Sequence, residues 1–238
     1  PKDGLDVATL VKNADAAMYR SKAKGRNRSE FYTRSLTFQV NERMAMEQEL
    51  RRALERDELC LYYQPKYCLR SQSLVGAEAL VRWPHPVFGD IPPDRFIPVA
   101  EESGLILPLG DWVLRQAIAQ LQVLAERPET AGLRISVNVS ARQLHRPEFV
   151  DDVLAALAAS GLPPWRLELE LTESELVDDI EQAITRLQAL RAGGVRIALD
   201  DFGTGYSSLA YLRSFPMTKL KIDRSFVTSL NSEEGGGA

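Results

Sequence analysis

The sequence is poor in the residues that hold soft metals. Among 238 residues there are two cysteines, Cys60 and Cys68, and two histidines, His85 and His145. Both histidines stand in proline-bounded stretches, which argues against a zinc centre built on Cys and His. No secretory signal opens the chain, and two cysteines without one read as reduced thiols of a cytoplasmic protein. Long apolar runs are missing too. None approaches the roughly 20 residues of a membrane span, which leaves tethering of a parent chain to the inner membrane by an upstream segment open. Hydrophobic residues at 45% and charged residues at 26% fit a soluble globular chain. The length suits one large domain, or one domain plus a fragment.

Acids are scarce at the start. Residues 1–52 hold 11 Lys and Arg against 7 Asp and Glu, while the whole chain carries a net charge of −4, so the main body is acidic. Arg20, Lys22, Lys24, Arg26 and Arg28 form a basic run with no acid inside it. No aromatic platform is interleaved with them, so the run reads as a solvated helix end and no nucleic-acid polymer is expected as a partner.

What is present is an alternation of periods. Asp6 to Lys24 has helical spacing, with Val7, Leu10, Val11, Ala14 and Met18 on one stripe and Gly25 as the stop. Ser35 to Asp57 lacks Pro and Gly and reads as a charged connecting helix. From Leu59 the pattern turns to strands at Leu59–Gln64, Val75–Trp83, Leu133–Ser140, Arg166–Thr172, Val195–Asp200 and Thr218–Asp223. Helical stretches fall between most of them at Leu107–Glu126, Pro147–Ser160, Asp178–Ala192 and Ser207–Ser214. Such alternation predicts a mostly parallel sheet, open or closed into a barrel.

Side chains alternate across a strand, and five of these strands have one apolar and one polar face. Ile135, Val137 and Val139 oppose Ser136, Asn138 and Ser140; Leu167, Leu169 and Leu171 oppose Glu168, Glu170 and Thr172. Glu78, Asp200, Lys219, Lys221 and Asp223 fall on polar faces in the same way. An open sheet covered by helices on both sides would be apolar on both faces. A barrel wall needs only its outer face for helices, and its inner face can carry polar groups to one mouth. An antiparallel sheet with one wet face is the plainer alternative. On the barrel reading Glu78, Asn138, Glu170, Asp200 and Asp223 line one cavity, with Lys221 among them. Several carboxylates together repel one another, and an oxygen-rich set without Cys or His suits Mg2+ or Mn2+. Glu168 points inward without an evident role and is expected to pair with Arg166 or Arg196. Trp112 and Trp165 read as packing residues, and Glu101-Glu102 as solvent-facing or helix-starting.

The richest stretch is Ala198 to Leu209, which holds Asp200, Asp201, Gly203 and Gly205. Asp201-Phe202-Gly203 matches the metal-binding triplet of protein kinases, and Gly203-x-Gly205-x-x-Ser208 a dinucleotide fingerprint. No kinase catalytic loop precedes the first, and the third glycine of the second is a serine. Strand parity puts Asp201 opposite Asp200. If both are ligands the strand must break there, and Gly203 and Gly205 supply the freedom.

Taken together, Tyr63-Gln64-Pro65, Glu78-Ala79-Leu80 with Arg82-Trp83, Ser136-Val-Asn138-Val-Ser140, Glu170-Leu-Thr-Glu173, Asp200 to Leu209 and Lys219-Leu-Lys-Ile-Asp223 resemble the EAL-domain cyclic di-GMP phosphodiesterases. The resemblance implies a TIM-like α/β barrel with an antiparallel first strand, about six of its eight strands being present. It implies metal ligands at Glu78, Asn138, Glu170, Asp200 and Asp201 for a two-metal site of Mg2+ or Mn2+. Lys221 would hold the hydrolytic water, Asp223 would lie beside the second metal, and Glu173 would fasten the loop Phe202, Gly203, Thr204, Gly205, Tyr206, Ser207. Gln64 and Arg82 would contact cyclic di-GMP, and the product would be linear pGpG. The family also implies a homodimer.

Asn13 to Arg28 is similar to the last helix of a GGDEF (diguanylate cyclase) domain. The resulting division is a GGDEF-like remnant at 1–34, a linker helix at 35–47, an EAL-like domain at 48–230 and a tail at 231–238, with a GGDEF domain and a sensor expected upstream. The family's last two strands, each with a site motif, have no counterpart here. The chain alone is therefore expected to be poorly active and marginally stable, and a non-catalytic cyclic di-GMP-binding or interaction module is the alternative reading.

Overall fold

The computed structural model of the chain describes residues 5–23, 27, 29, 31–172, 179–203 and 215–223. Its contacts divide the chain into two compact units, one of residues 1–59 and 83–105, the other of 60–82 and 106–238.

In the first unit, α1 (Val7–Ala23) starts where Asp6 accepts hydrogen bonds from the backbone N–H and hydroxyl of Thr9, both at 2.8 Å. The connecting helix, α2 (Arg34–Glu55), continues past residue 47 without a break. It is less solvated than its charge suggests: Leu50 and Ala53 are fully buried. Arg43 pairs with Glu102, and Arg95 donates to Glu42 at 2.6 Å. Both partners lie on α3 (Pro93–Ser103), a helix the sequence pattern did not reveal. Glu101 and Glu102 thus end a helix instead of starting one. Trp83 is buried and meets Phe96 edge-on at 5.6 Å. Trp83–His85 pair with the short β3 (Gly89–Ile91). His85 forms a corner there, its Nδ1 accepting from the backbone N–H groups of Val87 and Phe88.

The second unit is built on a sheet of order β1-β2-β4-β5-β6-β7. Its strands are β1 (Cys60–Cys68), β2 (Ser73–His85), β4 (Arg134–Asn138), β5 (Leu167–Thr172), β6 (Arg196–Phe202) and β7 (Lys219–Ile222). β1 and β2 form an antiparallel hairpin, and along this order every later pair is parallel. This is the wall of a TIM-like α/β barrel with an antiparallel first strand. Among the described residues β1 and β7 are its two edges. Parallel neighbours need long crossovers, and α4 (Ile106–Ala125), the short α5 (Ala141–Leu144), α6 (Phe149–Ser160) and α7 (Ile180–Ala192) supply those as far as β6. Gly161 ends α6 in the left-handed region at φ 69°, the conformation glycine adopts without strain.

The outer face is the core. Ile135, Val137, Leu167, Leu169, Leu171, Ile197 and Leu199 on the strands are buried, as are Leu121, Leu157, Leu187 and Leu190 on the helices. Each such burial contributes about 1.5–3 kcal/mol. Trp165 does not join them. It sits in a 3-10 turn at Pro164–Arg166 and is 44% exposed, against 1% for Trp83. No helix among the described residues is long and apolar enough to cross a membrane.

Candidate active site

Register turns the polar strand faces into two tiers. Glu78 lies opposite Ser136, Ser136 opposite Glu168, and Asn138 opposite Glu170. On the far side Glu168 lies opposite Arg196, and Thr172 opposite Asp200.

The lower tier is an ion network around Glu168. Its carboxylate accepts from Lys219 Nζ at 2.8 Å and from Ser136 Oγ at 2.9 Å, and Arg196 Nε is 3.5 Å away. Burial pushes this carboxyl up, but the hydrogen bond and charge of Lys219, with Ser136 and the charge of Lys66, outweigh it and hold the group at about 2. Of the two expected partners, Arg196 is the one found. Arg166 precedes the strand and donates instead to the carbonyls of Leu133 and Thr130, at 3.0 and 3.3 Å.

The upper tier gathers Glu78, Glu170 and Asp200, each offering an oxygen within 4.8 Å of the others. The Glu170 side chain is fully buried. Its Oε2 accepts from Lys221 Nζ at 2.7 Å; Lys221 also contacts Asp200 Oδ2 and lies 3.3 Å from Glu78 Oε2. Burial lowers Lys221, but its bonds to Asp200 and Glu170 prevail and raise it above the ordinary lysine range. Asn138 Nδ2 donates to Glu78 Oε1 at 3.0 Å. Glu78 is pushed up by burial, yet Asn138 and the two lysines bring it below the usual carboxylate range.

Asp201 is exposed and is not one of the three converging carboxylates; it stands beside them at an irregularity of β6. It has φ 51°, in the left-handed region, and the β6–β7 register shifts between Leu199 and Phe202. Asp tolerates that region better than most residues, so the left-handed residue is Asp201 itself, still within β6 and two residues before Gly203 at φ 99°. Burial and the charges of Asp200 and Asp223 raise the Asp201 carboxyl. Asp223 follows directly after β7. The upper tier therefore carries more acid than base, unlike the lower one.

Gln64 is exposed on β1 opposite Glu78. Arg82 lies four residues beyond Glu78 on β2, about 13 Å along the strand. Its guanidinium is 5.7 Å from the Tyr62 ring centroid, and its Nη1 donates to the Val81 carbonyl at 2.8 Å. Neither belongs to the carboxylate cluster. Phe202 and Gly203 close β6. Glu173, Thr204, Gly205, Tyr206 and Ser207 lie outside the described residues, as does the helix expected at Ser207–Ser214.

One site residue escaped the sequence reading. Lys66 Nζ donates to Ser136 Oγ at 2.9 Å and to Glu170 Oε1, and is 3.4 Å from Glu78 Oε2. The reading ended β1 at Gln64, before Pro65. An edge strand accepts proline, and β1 runs on to Cys68. Extending the parity from Gln64 by two residues would have found Lys66.

The hard oxygen donors of Glu78, Glu170 and Asp200 and their surplus negative charge fit a divalent cation such as Mg2+ or Mn2+. The model of the EAL domain family matches residues 47–238. The cyclic di-GMP phosphodiesterase NbdA of Pseudomonas aeruginosa is 46% identical over 237 residues, covering 98% of this chain and 30% of that protein. The bifunctional diguanylate cyclase/cyclic di-GMP phosphodiesterase MucR of Pseudomonas aeruginosa is 43% identical, covering 100% and 35%. The solved PaMucR phosphodiesterase in complex with c-di-GMP superposes with a TM-score of 0.75 at 44% identity, over 80% of this chain and 76% of that one. The chain thus spans about a third of the length of these curated relatives.

Proposed function

The chain belongs to the EAL domain family, and from that premise we propose that its parent protein hydrolyses cyclic di-GMP to linear pGpG with Mg2+ or Mn2+, and that the chain alone does so weakly. The observation that carries this reading is the acid-rich upper tier, with Glu78, Glu170 and Asp200 oxygens converging within 4.8 Å. Glu78, Asn138, Glu170 and Asp200 would hold one cation, and Asp201 with Asp223 would lie at a second. Bound there, the metals supply activation of a water and stabilisation of the leaving oxygen of a phosphodiester.

The chain's own groups do the rest. Lys221, kept charged by Asp200 and Glu170, is a donor that can orient the attacking water beside the phosphorus. Arg82 can let go of a carbonyl and pair with a phosphate oxygen, for which its planar fork is suited. Gln64, exposed at the same wall, offers an amide to a guanine edge. Water oxygen bonds to phosphorus and the P–O3′ bond breaks, leaving a 5′-phosphate on one end and a 3′-hydroxyl, with its proton, on the other. Glu173 and the loop from Phe202 to Ser207 belong to this reading as the element that couples the metals.

Residues 1–34 are the remnant of a GGDEF-like domain, and residues 35–47 are the linker leading to the phosphodiesterase domain. The bifunctional name of the MucR relative supports an upstream cyclase domain. The assembly we infer is a cytoplasmic homodimer. Incubation with cyclic di-GMP and Mn2+, followed by chromatography, is expected to show pGpG. Unchanged cyclic di-GMP, bound but intact, would instead support a binding module.

A further inference from the structure

Lys66 reaches the upper tier from β1, at the opposite edge of the described sheet from Lys221 on β7, and the phosphodiesterase reading gives it no task. Its ammonium contacts Glu170 Oε1 and Ser136 Oγ and lies 3.4 Å from Glu78 Oε2. Lys221 takes the other Glu170 oxygen, at 2.7 Å, and the same Glu78 oxygen, at 3.3 Å. Glu170 is therefore clamped at both oxygens, and Lys66 holds lone pairs that a divalent cation on this carboxylate pair would need.

Two opposed effects follow. A group that orients a metal-binding carboxylate raises affinity, and losing such a group costs about 10–100-fold. A positive charge beside the cation lowers affinity by repulsion, strongly where solvent screening is weak. Here the orienting role is duplicated: Glu170 is fully buried and remains held by Lys221 when Lys66 is gone. Lys219 also comes to 3.9 Å from Glu170 Oε1, but its short contact is to Glu168 at 2.8 Å, so it replaces the charge of Lys66 only in part. Repulsion and competition for oxygens are the larger effect.

We propose that Lys66 is a positioning residue that props the metal-free site and weakens its affinity for divalent cations. It neutralises Glu78 and Glu170 when no cation is bound and resists the cation that replaces it. The inference rests on the cation site proposed above.

The test is calorimetric titration of the 238-residue chain with Mn2+, alongside melting with and without Mn2+, for wild type, Lys66→Met and Lys66→Arg. Lys66→Met keeps the length and apolar stem but removes the charge. It is expected to bind Mn2+ about tenfold more tightly, to melt lower than wild type without metal, and to gain more than wild type when Mn2+ is added. Lys66→Arg, which keeps the charge, is expected to bind within about threefold of wild type. Wild type that takes up no Mn2+ would overturn the cation site itself. Wild type that binds, with Lys66→Met no tighter or weaker, would overturn the role of Lys66 while leaving the site standing. Equal tightening by Lys66→Arg would also overturn it, since charge would not be the cause.

Discussion

Glu168 and Glu170 stand two residues apart on one face of β5, both buried, yet they serve different electrical surroundings. Glu168 is one carboxylate facing Lys219 and Arg196, with Ser136 as a further donor. Glu170 shares Lys66 with Glu78, and Lys221 with Glu78 and Asp200, while Lys219 comes only to 3.9 Å from it. Buried polarity alone does not mark a site. The lower tier leaves no acid uncompensated and belongs to the stability of the wall. The upper tier leaves acid in excess and is where a cation lowers the energy most.

The sharpest way to break this contrast is Asp200→Ala in the upper tier. Turnover of cyclic di-GMP is expected to fall by about three orders of magnitude, measured as pGpG formed per unit time. Melting should shift little, because the substitution also relieves repulsion with Asp201. The lower tier should show the reverse. Glu168→Ala strands two cations and is expected to cost about 3 kcal/mol in chemical denaturation. That is the low end for one partner removed from a buried pair, because Lys219 can still reach water.

The pH dependence of stability separates the tiers as well. Glu168 in the folded chain sits at about 2, below its ordinary 4.5. A carboxyl depressed by folding adds stability above its unfolded value and loses it as pH falls from about 4.5 to about 2. The contribution is on the order of 3 kcal/mol. Stability measured by denaturation should therefore fall less steeply between those pH values for Glu168→Gln than for wild type. A smaller effect is expected away from both tiers. Arg82→Ala should raise KM for cyclic di-GMP about tenfold with less change in kcat, as loss of a charged hydrogen bond to substrate would.

Much of this contrast was legible in the sequence. Parity on single strands put Glu78, Asn138, Glu170, Asp200 and Lys221 on polar faces, and a ligand role for both Asp200 and Asp201 would require a break between them; the structure has a left-handed residue at Asp201 within a strand that runs on to Phe202. What parity cannot supply is register. Glu168 could be seen to point inward, but only the alignment of β5 with β6 selects Arg196 over Arg166. Lys66 was hidden because Pro65 reads as a strand end unless the strand is known to lie at an edge. The helix Pro93–Ser103 was hidden in the same way, by prolines at its start and Pro98 within it. Trp83 and Trp165 show the limit of reading aromatics by type: the packing residue was the one in the proline-rich corner.

The contrast between the tiers rests on which of two neighbouring carboxylates a cation needs, and titration of the chain with Mn2+ in Glu170→Gln and Glu168→Gln measures that directly. The account predicts that Glu170→Gln loses Mn2+ binding and that Glu168→Gln keeps it within a few-fold of wild type. Binding that survives in Glu170→Gln, or that is lost equally in both, would contradict it.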